Sequence, residues 1–245
     1  MKRLATVFLA LLLAVPASAA DGGYDGVFEH GRERMRARDY AAAAVAFEEA
    51  TRLRPEETDA WFRLGLARSA NKEPDAAIAA YRKTVELDPD HAKAHNNIAN
   101  VQFRRGGYED ALVGYDAALA LNPDYMLALY HRGWVLKHFN RNEEAEAAFA
   151  HCLRLEPTNN REAVTRFDCL FFLGTLRFRA EDHEESARAM EQVLAVNPIH
   201  TEAHHYLGMS YRRLGRIDEA REHLEIHRQM LRAARRDTPV ERADP

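Results

Sequence analysis

From Tyr24 onward, apolar residues recur at helical spacing in short blocks, and each block ends in a turn signal. Thr58 to His91 shows one full cycle. Trp61, Leu64, Gly65 and Arg68 fall at helical spacing, with Asp59 in the first turn. Asn71-Lys72-Glu73-Pro74 breaks the pattern. Asp75 then opens a second helix whose inner face is Ala77, Ile78, Tyr81 and Val85. Leu87-Asp88-Pro89 closes it, because proline restricts the residue before it and cannot extend the helix. Two helices of about 14 residues cannot bury their apolar faces alone, so each pair must stack on the next.

The cycle repeats. Pro55, Pro89, Pro123 and Pro157 are each 34 residues apart, and Pro198 follows after 41, which is one period plus an insertion of 7. Small residues keep the same beat (Gly31, Gly65, Ala99, Gly133, Gly174, Gly208), as do Ala43, Ala77, Ala111, Ala145, Ser186 and Ala220. A large apolar residue stands four after each of the latter: Phe47, Tyr81, Tyr115, Phe149, Met190 and Leu224. A fixed period of this size marks a repeat array.

Trp61, Leu64, Gly65, Ala77, Tyr81 and Pro89 resemble the tetratricopeptide repeat pattern. The resemblance implies an all-α, right-handed α-solenoid of about six helix–turn–helix repeats: 24–57, 58–91, 92–125, 126–159, 167–200 and 201–234. The repeat domain spans 21–236. Gly65 and Ala77 are expected where the two helices cross closest, since a larger side chain would overpack the crossing. Arg232 stands where the last repeat would carry proline, so the final helix should run to about Arg236 as a cap. Residues 237–245 lack apolar pattern and read as a disordered tail. The insertion, Asn160 to Arg166, is close to two helical turns. It either lengthens the following helix in phase, with Asn159 or Asn160 as N-cap, or forms a bulging loop.

The first twenty residues depart from this scheme. Met1-Lys2-Arg3 is basic, Leu4 to Val15 is apolar apart from Thr6, and small residues follow with Ala17 and Ala19 at an Ala-x-Ala spacing. That order is expected of a secretory signal peptide over 1–20, cut after Ala19 or Ala20, and the run is too short to span a bilayer. The mature chain is then expected to be exported, periplasmic or secreted, with no stable membrane insertion. Losing Lys2 and Arg3 takes the basic count from 34 to 32 against 38 acidic residues, a net charge of −6. This balance argues against general nucleic-acid binding.

The resemblance implies that the first helices line a concave groove through repeat positions 2, 5, 9, 12 and 13. Positions 5, 9, 12 and 13 hold seven Lys or Arg, seven aromatics and no acid. Rings supply rigid contact area, Asn pairs with peptide amides and Arg pairs with carboxylates. Asn96, Asn100, Phe103, Arg104, Tyr130, Trp134, Lys137, Phe171 and Arg179 are the expected peptide-binding residues. The bland alternative is that rings pack on the neighbouring repeat and arginines bridge to acids of the second helices. The acids at position 2 (Asp25, Asp59, Asp168, Glu202) suit positive helix N-termini. A carboxylate clamp of the kind that holds chaperone tails is not matched: Asn96 replaces the required Lys, His131 stands at position 6 and Asp168 at position 2.

Cys152 and Cys169 fall on helices expected to be adjacent and antiparallel. In an oxidising compartment they are a candidate disulfide; otherwise they are two buried small side chains. His200/His204 and His223/His227 have i, i+4 spacing, but no Cys or carboxylate completes a metal set. There is no phosphate loop, His-Glu-x-x-His or Gly-x-Ser-x-Gly, so no enzyme, catalytic residue, metal or cofactor is expected. The expected function is an exported scaffold that binds an extended, acidic or apolar peptide or partner tail, in envelope assembly, secretion or maturation. The rival is a structural homo-oligomer joined through the last helix and the Phe28 end.

Overall fold

The structure, a computed structural model, describes residues 17–237, and side chains from 23 to 235. Most of the expected signal peptide (1–16) and nearly all of the expected tail (238–245) lie outside the described residues. The described residues form helices and turns with no strand. No helix among them is long and apolar enough to cross a membrane.

Two compact units divide after Val101. The first contains α1 (Ala17–Arg36), α2 (Tyr40–Leu53), α3 (Thr58–Ala70) and α4 (Pro74–Leu87). The division falls within α5 (Ala92–Arg104). The second contains α6 (Tyr108–Leu121), α7 (Met126–His138), α8 (Asn142–Arg154), α9 (Asn160–Arg179), α10 (His183–Val196), α11 (Thr201–Arg213) and α12 (Ile217–Asp237). Each unit is a succession of antiparallel helix pairs, with α1 on α2 and α3 on α4 in the first, and α7 on α8, α9 on α10 and α11 on α12 in the second.

In five of the six repeats a glycine of the first helix receives a large side chain of the second; the third repeat has Ala99 there. A Cβ added to Gly31 would stand 2.7 Å from the Phe47 ring, and one at Gly65 would stand 2.5 Å from the Tyr81 ring. In the second unit Gly133 meets Phe149, Gly174 meets the end of Met190, and Gly208 meets Leu224. Ala77 is fully buried, yet the side chain seated on Gly65 is Tyr81, four residues later. Phe47, Tyr81, Phe149 and Met190 are fully buried and form the core of their pairs.

The turn inside each pair is built alike. Arg38, Lys72, Asn140 and Glu181 have φ near +60°, and Gly106 and Gly215 have φ of 79° and 78°. The amide after each bonds back across the helix end, as in Asp39 N to Arg34 O at 2.9 Å and Asp182 N to Arg177 O at 3.0 Å. This is the Schellman closure, which satisfies a carbonyl left over at the helix C-terminus. It requires a left-handed residue, and four of the six positions carry a side chain there.

The insertion is helical. α9 starts at Asn160 and is 20 residues long, and the Asn159 side chain caps it by accepting from the Glu162 amide at 3.0 Å. The extra residues lengthen the helix by almost two turns and leave its phase unchanged. They also move Asp168 to the ninth residue of α9, and the early start of α1 does the same to Asp25. The dipole effect is confined to the first turn, so the expectation that all four acids serve helix N-termini holds only for Asp59 and Glu202.

Candidate peptide-binding face

In the second unit α9 packs against α7, and α11 packs against α9, so these three first helices lie side by side. Helical spacing brings positions 5, 9, 12 and 13 to one face of each. On α7 these are Tyr130, Trp134, Lys137 and His138. On α9 they are Phe171, Thr175, Phe178 and Arg179.

The aromatic members are packed together. The rings of Trp134 and Phe103 meet edge to face at 4.9 Å, and Trp134 stacks parallel on His138 at 5.7 Å. Tyr108 of α6 joins them, 4.5 Å from His138 and 5.7 Å from Trp134. Phe171 lies 4.6 Å from His200 and 6.2 Å from Tyr206, and Phe178 lies 5.5 Å from Tyr206. Phe103, Tyr130, Trp134 and Phe171 are each half-buried. They therefore serve both readings at once: one edge packs on a neighbour and the other remains open. Tyr108 and Phe172 belong to this aromatic floor but were absent from the sequence expectation, because neither stands at a groove position of its repeat.

The cations divide sharply. Arg132 donates to Asp116 at 2.5 Å, and Arg177 pairs with Glu146 at 2.5 Å and Asp182 at 3.4 Å. These arginines staple first helices to acids nearby. Lys137 and Arg179 form no ion pair among the described residues. Lys137 places its ammonium 5.2 Å from the centre of the Phe172 ring. Burial, and then the positive charge of Arg179, push its pKa below the ordinary lysine value. Arg104 and Arg179 are exposed.

Two further ionisable groups lie nearby. His131 stacks on Tyr115 at 5.5 Å and touches Phe103 and Tyr130. Its Nδ1 is buried without a hydrogen-bond partner among the described residues. Burial, reinforced by Arg161 and Arg104, pushes its pKa down to about 4. Burial pushes the Tyr130 phenol up to about 12, with the Asp168 carboxylate adding to the shift.

Asn96 and Asn100 belong to the first unit. Asn96 is only 1% exposed. Its side chain is part of the packing, contrary to the expectation that it lines an open face; position 5 of α5 faces inward. Asn100 is half-buried. The first unit's own face carries a cleft of about 200 Å³ lined by Arg32, Met35, Arg36, Phe47, Arg63 and Leu66.

Cys152 on α8 and Cys169 on α9 are both fully buried, with Cα atoms 6.6 Å apart and sulfurs in bonding contact. This separation lies within the span a disulfide can bridge. The histidines are engaged in helix packing. The Nε2–H of His204 donates to Pro198 O at 2.9 Å, which leaves its Nδ1 to accept from His223 Nδ1–H at 2.9 Å. The Nδ1–H of His227 donates to Thr201 O at 2.9 Å. No group of three or more metal-ligating side chains is assembled among the described residues.

Stacked helix pairs with a recurring close crossing and a side-chain-rich first-helix face define a repeat protein of the interaction-scaffold class. The tetratricopeptide repeat model matches residues 28–92, 67–116, 96–160 and 173–240, and the chain belongs to that family. No curated protein matches it in sequence. Among solved structures it is similar to YrrB, described as a TPR protein with an unusual peptide-binding site, at 21% identity and a TM-score of 0.67, covering 76% of this chain and 93% of that one. It is similar to PilF of Pseudomonas aeruginosa at 18% identity and a TM-score of 0.69, covering 86% and 93%. A tetratricopeptide repeat protein from Parabacteroides merdae matches at 19% identity and a TM-score of 0.63, covering 83% and 78%. At these identities the likeness establishes the α-solenoid fold alone. Family and fold together mark a protein–protein interaction scaffold.

Proposed function

We propose that the chain is exported and holds an extended segment of a partner protein, with acidic and apolar character, on the first-helix face of its second unit. The observation that carries this reading is the contrast among cations. Arg132 and Arg177 are neutralised by nearby acids, whereas Lys137 and Arg179 stand beside an aromatic floor with no carboxylate of the described chain to meet them. Half-buried rings give contact area at low entropic cost, and an acid of the guest would meet the two cations. YrrB, which shares the fold, is described as having a peptide-binding site. Export is supported by the leader pattern of residues 1–20 and by the juxtaposition of Cys152 and Cys169, since disulfides persist in oxidising compartments. A role in envelope assembly, secretion or maturation fits such a scaffold.

Crosslinking mass spectrometry from intact cells, with wild type and a Lys137→Glu/Arg179→Glu variant, tests the reading. The expected result is a partner crosslinked to α7 and α9 that the variant loses. An unchanged set of crosslinked proteins would refute the face. Mass measurement of the purified chain should find an N-terminus after Ala19 or Ala20; an intact Met1 start in the mature pool would refute cleavage there.

A further inference from the structure

Asp168 stands on the same face and is not explained by the helix that carries it. It is the ninth residue of α9, beyond the reach of the N-terminal dipole. Its side chain is half-buried, and it forms no hydrogen bond or ion pair among the described residues. A carboxylate withdrawn from water is ordinarily matched by a cation or by donors. The equivalent acid of the first repeat, Asp25, has one: Arg54 Nη1 lies 4.0 Å away. At the register of Arg54, the repeat containing Asp168 has Asn197, whose Oδ1 accepts from the Ile199 amide at 3.2 Å. The fifth repeat has the carboxylate without the cation that the first repeat sets near it.

Two ring-bearing side chains, Tyr130 and His200, interact electrostatically with Asp168. Tyr130 of α7 senses its charge, and Phe171 follows one turn later on α9. His200 is the nearest group able to become cationic, but its Nδ1 accepts from the Ala203 amide at 3.3 Å and lies 3.4 Å from Glu202. Burial raises the Asp168 pKa, and His200 opposes the rise. An anion beside aromatic faces is the arrangement that seats an ammonium or guanidinium group.

Resting on the proposed peptide-binding face, we infer that Asp168 is its specificity anchor, which seats a lysine or arginine side chain of the bound segment beside Tyr130 and Phe171. Asp168 and Arg179 are eleven residues apart on α9, which returns them to the same side of the helix about 16 Å apart. An extended chain covers that distance in about five residues. The guest therefore carries a basic residue and, about five residues away, an acidic one, with apolar residues between. The face selects a dipolar segment, and acidic character alone is not sufficient.

Selection from a random twelve-residue peptide library against wild type and Asp168→Asn tests this. The wild type should enrich Lys or Arg about fivefold at one position, with an acid about five positions away. Asp168→Asn should recover binders without the basic preference, and Asp168→Lys should favour an acid there. A second readout needs no guest: Asp168→Asn should raise the thermal midpoint by about 2 °C, because it removes an unmatched, desolvated charge. Equal basic enrichment by Asp168→Asn, or wild-type binders with no basic preference, would overturn the anchor and leave the peptide-binding face standing. Failure of both proteins to recover any binder would remove the face and the anchor together, whereas binders recovered by wild type alone would support the anchor. A lower midpoint for Asp168→Asn would show that the carboxylate is satisfied by the fold, and would also overturn the anchor.

Discussion

The two units share one construction and differ in what it leaves uncompensated. In the first, the 34-residue period runs without interruption, and its charges are largely matched. Arg63 pairs with Asp59 at 2.8 Å, Arg68 pairs with Glu48 at 2.7 Å and Glu73 at 2.5 Å, and Arg54 stands near Asp25. In the second, the period is broken by seven residues. That unit holds the cysteine pair, the aromatic floor, a lysine and a half-buried histidine with lowered pKa values, and a half-buried carboxylate with no cation. The same crossings, a glycine facing a large apolar side chain, hold both units. The cysteine pair and the unmatched charges of Lys137, Arg179 and Asp168 all lie in the unit whose period is broken.

The sharpest way to break this comparison is to remove the cysteines. Cys152 and Cys169 are 17 positions apart in sequence with the insertion between them, and closing such a loop is worth about 3 kcal/mol. Cys152→Ala/Cys169→Ala should lower the thermal midpoint by roughly 6–12 °C. Hydrogen exchange should rise in α8 and α9 while α2 and α3 are unaffected. Reductant should bring wild type to the same midpoint; a wild type indifferent to reductant would show that the pair is not bonded.

Testing the shared construction comes next. Gly65→Val and Gly133→Val both place side-chain atoms where Tyr81 and Phe149 already lie. Each should cost about 2 kcal/mol by overpacking, measured by denaturant unfolding. Similar losses at the two sites would show that the crossings are equivalent. A loss confined to one would show that the units differ in their core as well as on their face.

The smallest effect is a pH dependence specific to the second unit. His131 has a folded pKa of about 4 against an unfolded value near 6.5, and burial also depresses His205 and His223. Because the unfolded chain takes up the proton first, the contribution of these groups is complete above about pH 7 and is lost as pH falls. For His131 the loss runs between about pH 6.5 and 4. His131→Phe should flatten the stability profile in that window; an unchanged slope would show that His131 is solvated.

Much of this was legible in the sequence. The helix boundaries follow from turn residues and from apolar spacing. The crossing glycines follow from a period that only a stacked pair can impose, and Phe103, Trp134 and Phe171 share a face because helical spacing puts them there. Other features were not legible. The left-handed turn residues Arg38, Lys72, Asn140 and Glu181 have no common chemistry, since the conformation is imposed by the Schellman hydrogen bond and tolerated by each side chain. Asn96 reads as a peptide-binding amide and is buried, because repeat position gives the direction of a side chain but not the depth of what packs over it.

The amino-acid order by itself determined the repeat, the helix pairs, the crossing glycines and the cationic, ring-rich composition of one face. These are local or periodic properties, written into spacing along a single chain. Only the tertiary structure decided which charges on that face are matched. Pairing depends on distances between side chains from different helices: Arg177 reaches Glu146 and Asp182, while Lys137 and Arg179 meet no acid and Asp168 meets no base among the described residues.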